Sequence, residues 1–393
     1  MTPRQRIRES INFREPDRVP IDNGGVVSGM HEVAYKNLLS YLGLNDEIVI
    51  YDPVQRLARV KDEVLDILGV DTRYIFANPP SFWKYEEKAD GSWVDEFGTG
   101  YKRSQYYCDF LYPVLGKASM RDVVNYRFPN PRDRARFEGL RERASELYNK
   151  TDYAIIGGNI PSVFYIAWVL RGMEQFMADL VLNREIAEYL MDKIVEWNLN
   201  FLDCYLEEIG DYIDYQWVGD DWGTQCGPLI SLEMFREMVA LRFKKIIDFI
   251  KSRSRAKVIY HTCGATYFIL PDLIEIGVDI VHPLQANARG NENPEKLKKS
   301  FGKKVVFHGN TNNQGVFHKS KDEVVSDALL RIRYLAPGGG YIFSSGHNIQ
   351  ANMPPENIVA LFNTAREYGK YPIDTERIDE KLRELGKKLG YRT

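Results

Sequence analysis

Cysteine is scarce in this sequence, and the cysteines present have no paired spacing. Among 393 residues there are four, Cys108, Cys204, Cys226 and Cys263, and no CxxC occurs. A disulfide framework is therefore not expected. The amino terminus, MTPRQRIRESINFREPDRVP, is charged and lacks the apolar core of a secretory signal. Both features favour a cytoplasmic protein whose thiols stay reduced.

Long apolar runs and a strong charge of one sign are also missing. No uninterrupted apolar run approaches the roughly 18 residues of a membrane span, so no membrane association is expected. The 52 basic and 55 acidic residues are well mixed and give a net charge of −3. Because no basic stripe with interleaved aromatic residues stands out, nucleic-acid binding has little electrostatic support.

The common phosphate-binding loops are absent as well. No GxGxxG follows an early strand, and Gly338 to Gly340 in APGGGYIF precede a strand with no GKS or GKT after them. These glycines fit a turn from helix to strand. An open nucleotide-binding sheet is thereby disfavoured.

What the sequence does contain is a regular alternation of apolar strands and helical patterns. Strand, helix, strand at this spacing indicates parallel strands with crossover helices. We predict an α/β fold, a (β/α)8 TIM barrel, as a single domain over residues 1–393. The predicted strands are Val19–Ile21, Tyr153–Ile156, Tyr212–Val218, Val258–His261, Val278–Val281, Val305–His308 and Tyr341–Phe343.

Two segments are expected outside the barrel frame. Residues Thr2–Phe13 predict an N-terminal helical extension. Residues 70–117 predict a side insertion, with Tyr74–Ala77 as a strand and a β-hairpin around the Asp90-Gly91 turn. Aromatic residues are dense there. They fit either ordinary packing or a pocket lined with flat rings, and the sequence leaves both open.

Polar residues follow nearly every predicted strand. Because the loops at the carboxyl ends of barrel strands share one face, these residues should converge on one site. Four of the six histidines are among them. The residues are Asp22, Asn23, Asn159, Asp220, Asp221, His261, Cys263, His282, His308, Asn310, His347 and Asn348.

His261 and Cys263, in YHTCGAT, are candidate metal ligands. Positions i and i+2 of a strand point to the same side, so the imidazole and the thiolate can reach one ion. An HxC pair also occurs by chance, and a buried cysteine usually packs as a small hydrophobe. His347, at another strand end, would complete the three-ligand pattern of a catalytic zinc site. One thiolate and two neutral imidazoles leave Zn²⁺ with a charge of +1, able to polarise an oxygen or to deprotonate a thiol.

Asp220 and Asp221 are the candidate catalytic residues. Adjacent strand residues face opposite sides, so one carboxylate is expected in the site and the other in a capping or structural role. A carboxylate in the site could orient a metal-bound histidine or accept a proton. His31, His282 and His318 are expected to be structural or exposed. The candidate substrate-binding residues are Asp22, Asn159, His308, Asn310 and Asn348.

Together these segments resemble the uroporphyrinogen decarboxylase-like superfamily, from RVPID to about Phe362. The resemblance is carried by RQRIRESINFREPDRVPID, YHTCGAT, GVDIVHPLQ, FHGNTNNQ and APGGGYIFSSGHNIQANMPPENIVAL, and it implies a (β/α)8 barrel. True decarboxylases of the superfamily carry an arginine-rich motif after the first strand, which neutralises the acetate groups of a tetrapyrrole. Here DNGGVVSGMHE contains no arginine, so tetrapyrrole decarboxylation is disfavoured.

The zinc methyltransferases of this superfamily exchange methyl groups with a separate corrinoid protein. They carry HxC in the equivalent strand and a later cysteine after the last strand. In this sequence Gly346-His347 stands where that cysteine is expected, and His347 is the natural substitute. A site with one thiolate would suit cleavage of a methyl ether better than activation of a thiol.

The resemblance therefore implies a methyltransferase that depends on Zn²⁺ and on a corrinoid (cobalamin). It would move a methyl group from a small methoxylated substrate, which could be aromatic, to Co(I) of a partner, since the chain has no DxHxxG corrinoid-binding motif. The expected partners are this methyl donor and a separate corrinoid protein, and a homodimer is possible. The alternatives are methyl transfer from a corrinoid to a thiol, decarboxylation, and a non-catalytic ligand-binding barrel.

Overall fold

Seven parallel strands curl into most of a barrel in the computed structural model, which describes residues 1–390. A short segment around Ile21 closes the barrel between the two edge strands. The Asp22 N–H donates to the Phe343 carbonyl at 2.8 Å, and the Asp71 N–H donates to the Ile21 carbonyl at 2.8 Å. Ile21 and Phe343 form a parallel bridge. With this eighth strand the predicted (β/α)8 barrel is confirmed.

The strands and helices have the following bounds. The barrel strands are β4 (Thr72–Ile75), β8 (Ala154–Gly157), β9 (Tyr215–Gly219), β10 (Lys257–Thr262), β11 (Ile280–Pro283), β12 (Val306–His308) and β13 (Tyr341–Ile342). The antiparallel strands are β1 (Met30–His31), β2 (Ile50–Asp52), β3 (Leu57–Ala58), β5 (Ser92–Val94), β6 (Gly100–Arg103) and β7 (Cys108–Tyr112).

The helices mostly follow the barrel strands and pack outside them. They are α1 (Pro3–Ile11), α2 (Glu32–Leu42), α3 (Asp62–Leu68), α4 (Met120–Asn125), α5 (Leu140–Lys150), α6 (Phe164–Arg171), α7 (Met173–Leu182), α8 (Arg184–Ile209), α9 (Leu232–Met234), α10 (Leu241–Arg253), α11 (Leu270–Glu275), α12 (Pro294–Phe301), α13 (Asn313–Val316), α14 (Lys321–Leu335), α15 (Pro355–Tyr368) and α16 (Thr375–Lys388). None of these helices combines the length and the apolar character that crossing a membrane requires.

The barrel interior is built in layers by strand alternation. Ile259, Ile280 and Val306 point inward from β10, β11 and β12 and form part of a buried apolar cluster. Two residues further along the same strands come His261, His282 and His308, each at most 6% exposed. Since residues i and i+2 share a face, the histidines form the next layer, at the carboxyl end of the barrel. This layer carries the candidate site.

Helix α1, the predicted N-terminal extension, lies against the amino-terminal end of the barrel. Its Ile7 and Ile11 join the inner apolar cluster. Arg6 forms a buried ion pair with Asp71 at 2.5 Å, and Arg8 pairs with Asp214 at 2.6 Å. The helix therefore closes one end of the barrel and leaves the carboxyl end open.

The insertion differs from the prediction in two ways. Its first part, Thr72–Ile75, is a barrel strand, because β4 pairs in parallel with β8. The remaining residues contain a three-stranded antiparallel sheet of β5, β6 and β7. The β5–β6 hairpin turns at residues 95–99, where the Asp95 N–H donates to the Thr99 carbonyl, whereas the Asp90-Gly91 turn precedes β5. This sheet reaches over the open end of the barrel.

Candidate metal centre and active site

Three potential metal ligands converge at the carboxyl end of the barrel. His261 extends from β10, Cys263 follows that strand, and His347 comes from the loop after β13. Their ligand atoms all lie within 4.8 Å of one another. The loop of His347 is held by Asn313, whose Nδ2 donates to the His347 carbonyl at 2.8 Å. The three residues that the sequence proposed as ligands are thus brought together.

The donor set fits zinc. The Cys263 Sγ lies 3.5 Å from the His261 Nε2, close to the separation of about 3.6 Å between sulfur and nitrogen ligands of a tetrahedral zinc. Burial lowers the pKa of His347 to about 4, which leaves its imidazole neutral and able to bind a cation at neutral pH. Burial raises the pKa of the Cys263 thiol. A bound cation is what would favour its thiolate form.

Asp221 lies beside this cluster. Its Oδ1 accepts the backbone N–H of Cys263 at 2.8 Å and lies 3.4 Å from the His261 Nε2. Although burial alone would raise the pKa of Asp221, the contact with His261 holds it well below its usual range. A carboxylate that stays ionised here lowers the energy of a nearby cation.

Asp220 has a different role from its neighbour. Its carboxylate accepts the backbone N–H groups of Val163, Phe164 and Tyr165 at 3.0, 2.7 and 2.8 Å, at the start of α6. Burial raises the pKa of Asp220 to about 8. The expectation that one aspartate enters the site and the other caps an element matches this arrangement, with Asp220 as the cap.

A cavity of about 630 Å³ opens on one side of the three candidate ligands, and we name it the aromatic chamber. Asp221, His261 and His347 lie at its metal end. No lysine or arginine is among the lining residues in the described part of the chain, whereas Asp52 and Asp95 are. The chamber therefore suits a flat ligand without negative charge. Its ring-bearing wall residues are Trp83, Trp93, Phe97, Tyr101 and Tyr165.

A second cavity, of about 870 Å³, lies on the other side of the cluster, and we name it the amide chamber. Cys263 and His347 lie in its wall. Within residues 1–390, its lining includes no aspartate, glutamate, lysine or arginine. The Gln314 Oε1 accepts amide N–H groups from Gln285 at 3.1 Å and Asn287 at 2.9 Å. Its amide-bearing residues are Gln225, Gln285, Asn287, Asn313, Gln314, Gln350 and Asn352.

Asp22 and His308 lie inside the barrel and line neither chamber. The Asp22 carboxylate accepts hydrogen bonds from Tyr74 at 2.7 Å, from Ser28 at 3.0 Å and from Thr72. It also contacts the His308 Nε2 at 2.9 Å. Burial would raise the pKa of Asp22, but these partners hold it below its usual value. The Asp22 carboxylate is thus engaged by four partners, whereas the His308 Nδ1 has no hydrogen-bond partner among the described residues.

The three asparagines among the predicted substrate-binding residues mainly hold loops. Asn310 donates to the Leu284 carbonyl and has a φ of 64°. The Asn348 Oδ1 accepts the Gly29 N–H at 2.7 Å. The Asn159 Oδ1 accepts the Ala77 N–H at 2.8 Å, and Asn159 also lines the aromatic chamber. Of the three, only Asn159 lines one of the two chambers.

Several residues of the site were not proposed from the sequence. Trp93, Tyr101 and Tyr165 line the aromatic chamber, and the density of aromatic residues around positions 70–117 was the available signal for the first two. Gln314 was not singled out, although its segment, HGNTNNQ, is rich in amides. His282, predicted at the converging strand ends as a structural or exposed residue, is buried, and its Nδ1 lies 2.8 Å from the His261 Nδ1.

Comparisons with known proteins agree with this architecture. A family profile described as uroporphyrinogen decarboxylase (URO-D) matches residues 108–368. A uroporphyrinogen decarboxylase of Magnetococcus marinus is 23% identical over 189 residues, which is 47% of this chain and 49% of that protein. One of Rickettsia bellii is 23% identical over 65% of this chain and 73% of its own length.

A solved structure also shares the fold. A methyltransferase from Methanosarcina mazei superposes with a TM-score of 0.63, covering 94% of this chain and 99% of its own, at 18% sequence identity. At this identity the likeness concerns the fold alone.

Proposed function

The chain belongs to the uroporphyrinogen decarboxylase family, and from that premise we propose that it is a zinc-dependent methyltransferase. It moves a methyl group from a small methoxylated substrate to Co(I) of a corrinoid carried by a partner protein. The observation that carries the proposal is the convergence of His261, Cys263 and His347 between two cavities of different chemistry. A group transfer needs two binding sites that meet at the reacting centre.

Zinc held by His261, Cys263 and His347 would supply a Lewis acid for the ether oxygen of the substrate. The thiolate and the two imidazoles leave a positive charge on such a site, and Asp221 partly balances it. A single thiolate keeps the site more electrophilic than two would. This charge favours withdrawal of electrons from an oxygen over activation of a thiol.

The aromatic chamber is the proposed site of the methyl donor. Its rings can stack on a flat methoxylated compound, and His347 and Asp221 reach its metal end. An acid with several carboxylates would need arginine or lysine partners there. The described lining contains carboxylates instead, which argues against a tetrapyrrole substrate.

The amide chamber is the proposed site of the corrin ring. A corrin carries carboxamide groups around its rim, and amides pair with amides through complementary donors and acceptors. Among the described residues, the lining of this chamber has seven amide side chains and no aspartate, glutamate, lysine or arginine. Because Cys263 and His347 lie in its wall, the amide chamber adjoins the three candidate metal ligands.

Methyl transfer breaks the O–CH₃ bond and forms a Co–CH₃ bond. The electron pair of Co(I) goes to the methyl carbon, the bonding pair stays on the oxygen, and that oxygen takes up a proton. Tyr165 lines the aromatic chamber, and burial together with Asp52 and Asp221 raises the pKa of its hydroxyl. The hydroxyl therefore keeps its proton and can donate a hydrogen bond that stabilises the charge developing on the departing oxygen, and the proton that this oxygen takes up comes from solvent.

The direct test is methyl transfer with purified components. The protein is loaded with zinc and mixed with a reduced corrinoid protein and a panel of methoxylated aromatic compounds, and methyl-cobalamin is followed by absorbance. We expect methyl-cobalamin and the demethylated alcohol or phenol in equal amounts. If no methyl-cobalamin forms with any reduced corrinoid partner or donor, the proposal fails.

Variants test the metal site separately from turnover. His261→Ala, Cys263→Ala and His347→Ala should each lose zinc, measured by elemental analysis after dialysis. His318→Ala is the matched control, because His318 is exposed and lines the amide chamber without belonging to the ligand cluster. Unchanged zinc content in the three ligand variants would remove the metal from the proposal.

Decarboxylation is the second candidate, because the matched relatives are named uroporphyrinogen decarboxylases. Release of CO₂ from a tetrapyrrole acid in the absence of corrinoid would favour it. Methyl transfer from a methylated corrinoid to a thiol is distinguished by loss of methyl-cobalamin when the thiol is added. Tight binding of a donor without turnover, with any corrinoid partner, would instead favour a non-catalytic ligand-binding barrel.

A further inference from the structure

We infer that His282 is a positioning residue for the metal ligand His261. It accepts a hydrogen bond from the His261 Nδ1 and thereby directs the His261 Nε2 toward the metal. The inference rests on the zinc site of the proposed function. It concerns a residue that lies outside the three-ligand cluster and outside the linings of both chambers.

The distance between the two rings determines how the proton is shared. The two Nδ1 atoms lie 2.8 Å apart, which is a hydrogen bond and requires one N–H and one bare nitrogen. The His261 Nε2 faces the Cys263 Sγ at 3.5 Å and the Asp221 Oδ1 at 3.4 Å. To bind a cation, this Nε2 must be the bare nitrogen, so the proton of His261 belongs on Nδ1. His282 must then accept with its Nδ1.

The fold holds the His282 ring in the accepting position. His261 and His282 are direct neighbours in the register of β10 and β11. The His282 ring packs edge-on against Trp217, with centroids 5.1 Å apart, and against His308, with centroids 4.9 Å apart. The side chain is 1% exposed. His282 therefore cannot turn away without displacing the interior layer of the barrel.

Other groups around His282 do not compete for its Nδ1. Asp22, a buried carboxylate, is engaged with His308 at 2.9 Å. Asp221 is engaged with the Cys263 N–H. Apart from His261, the His282 ring meets the Ser345 backbone, and a backbone carbonyl can only accept a hydrogen bond, so it does not compete for the accepting Nδ1. Outer hydrogen bonds of this kind fix the tautomer of a metal-bound histidine.

Two amide substitutions of His282 distinguish a hydrogen-bond acceptor at the Nδ1 position from a side chain that only packs. In His282→Asn the side-chain oxygen can occupy about the position of the Nδ1 atom, whereas in His282→Gln it reaches about the position of Nε2. We expect His282→Asn to keep zinc affinity within about threefold of the parent chain. We expect His282→Gln to weaken it roughly 10- to 100-fold, the usual effect of losing such a partner. Competition with a chromophoric chelator measures both.

Cobalt replacement gives a readout that packing alone would not change. With Co²⁺ in place of zinc, the parent chain and His282→Asn should share one tetrahedral visible spectrum with a thiolate band, and His282→Gln should lose intensity or shift. Asp211→Asn, at an exposed residue that precedes β9 at the other end of the barrel, is the control and should match the parent. Circular dichroism of each variant checks that the barrel is intact.

The outcomes are distinguishable. If the parent chain binds no zinc, the proposed metal site fails, and this inference falls with it. If the parent binds zinc and the Asn and Gln variants bind it equally well or equally poorly, the metal site stands and the positioning role of His282 is refuted. Retention by Asn with loss by Gln supports it.

Discussion

The Oδ1 atom of Asp221 touches both members of the HxC pair, at 2.8 Å from the backbone nitrogen of Cys263 and 3.4 Å from the His261 Nε2. One carboxylate thus fixes the backbone that carries the thiol and adds negative charge beside the proposed cation. These two effects can be separated, because an asparagine keeps the acceptor oxygen and removes the charge.

Asp221→Asn should weaken zinc binding by roughly tenfold while the fold is retained, since a charged neighbour of a metal site is lost but the hydrogen bond to Cys263 remains. Asp221→Ala should weaken it further. Affinity is measured by chelator competition. Asp211→Asn is the control, because Asp211 is exposed and precedes β9, at the other end of the barrel. Equal zinc affinity in Asp221→Asn and the parent would contradict a role for the charge.

Gln314 tests the amide chamber. Its Oε1 accepts from Gln225, Gln285 and Asn287, so Gln314→Leu should leave those donors unpaired and disturb the lining. We expect the dissociation constant for cobinamide to rise about 5- to 10-fold, the effect of one or two lost hydrogen bonds. Zinc content should not change. Absorbance titration of cobinamide into the zinc-loaded protein measures this.

A second ligand sharpens the test. A corrinoid whose rim amides are hydrolysed to carboxylates should bind the parent chain more weakly than cobinamide does, because the described chamber lining offers no cation. Gln5→Leu is the control for Gln314→Leu, because it replaces an exposed glutamine of α1, at the closed end of the barrel. Tighter binding of the carboxylate form would contradict the assignment of this chamber to a neutral, amide-rich ring.

Tyr165→Phe removes the proposed hydrogen-bond donor to the departing oxygen in the aromatic chamber. Single-turnover methyl transfer should slow by about 100-fold, the lower end of the effect of removing one donor to an oxygen that becomes negatively charged. The loss should shrink for donors whose phenol is more acidic, since such oxygens need less help to leave. Tyr41→Phe is the control, because Tyr41 is 55% exposed on α2. A loss that does not depend on the leaving group would indicate that Tyr165 only packs against the substrate.

Much of the fold could be predicted from the sequence because strand alternation and strand order carry it. The strands from β8 to β13 follow apolar runs, and the carboxyl ends of parallel strands meet on one face. His261 and Cys263 follow from i, i+2 geometry. By contrast, the prediction places β4 in the insertion, although Asn78-Pro79-Pro80 separates this strand from the aromatic segment that follows.

The parts of the site that could not be predicted depend on register and on long-range contacts. Alternation predicts that only one of Asp220 and Asp221 enters the site, but which one depends on how β9 sits against β10. His282 could not be told from an ordinary core histidine, because its partner lies on the neighbouring strand. The amide chamber draws residues from the loops after β9, β11, β12 and β13, whose meeting no local pattern indicates.

Asp220 gives a pH-dependent effect on stability. Its pKa is raised by burial from an ordinary value of 3.8 to about 8 in the folded chain. Between these values the folded chain holds a proton that the unfolded chain has released. The free energy of unfolding therefore falls as the pH rises through this interval, by at most about 1.4 kcal/mol per pH unit. Above about pH 8 this contribution becomes constant.

Asp220→Asn cannot titrate, and its amide oxygen can still accept N–H groups at the start of α6. The free energy of unfolding of the variant, relative to the parent chain, should therefore rise from pH 5 to pH 8, as measured by urea denaturation at several pH values. Asp133→Asn is the matched control, since Asp133 is a half-buried cap that accepts the Ala135 N–H at 3.0 Å and has a lowered pKa. Its difference from the parent should stay flat over this range, because Asp133 is ionised in both states. A flat difference for Asp220→Asn as well would mean that Asp220 is ionised in the folded chain at pH 5.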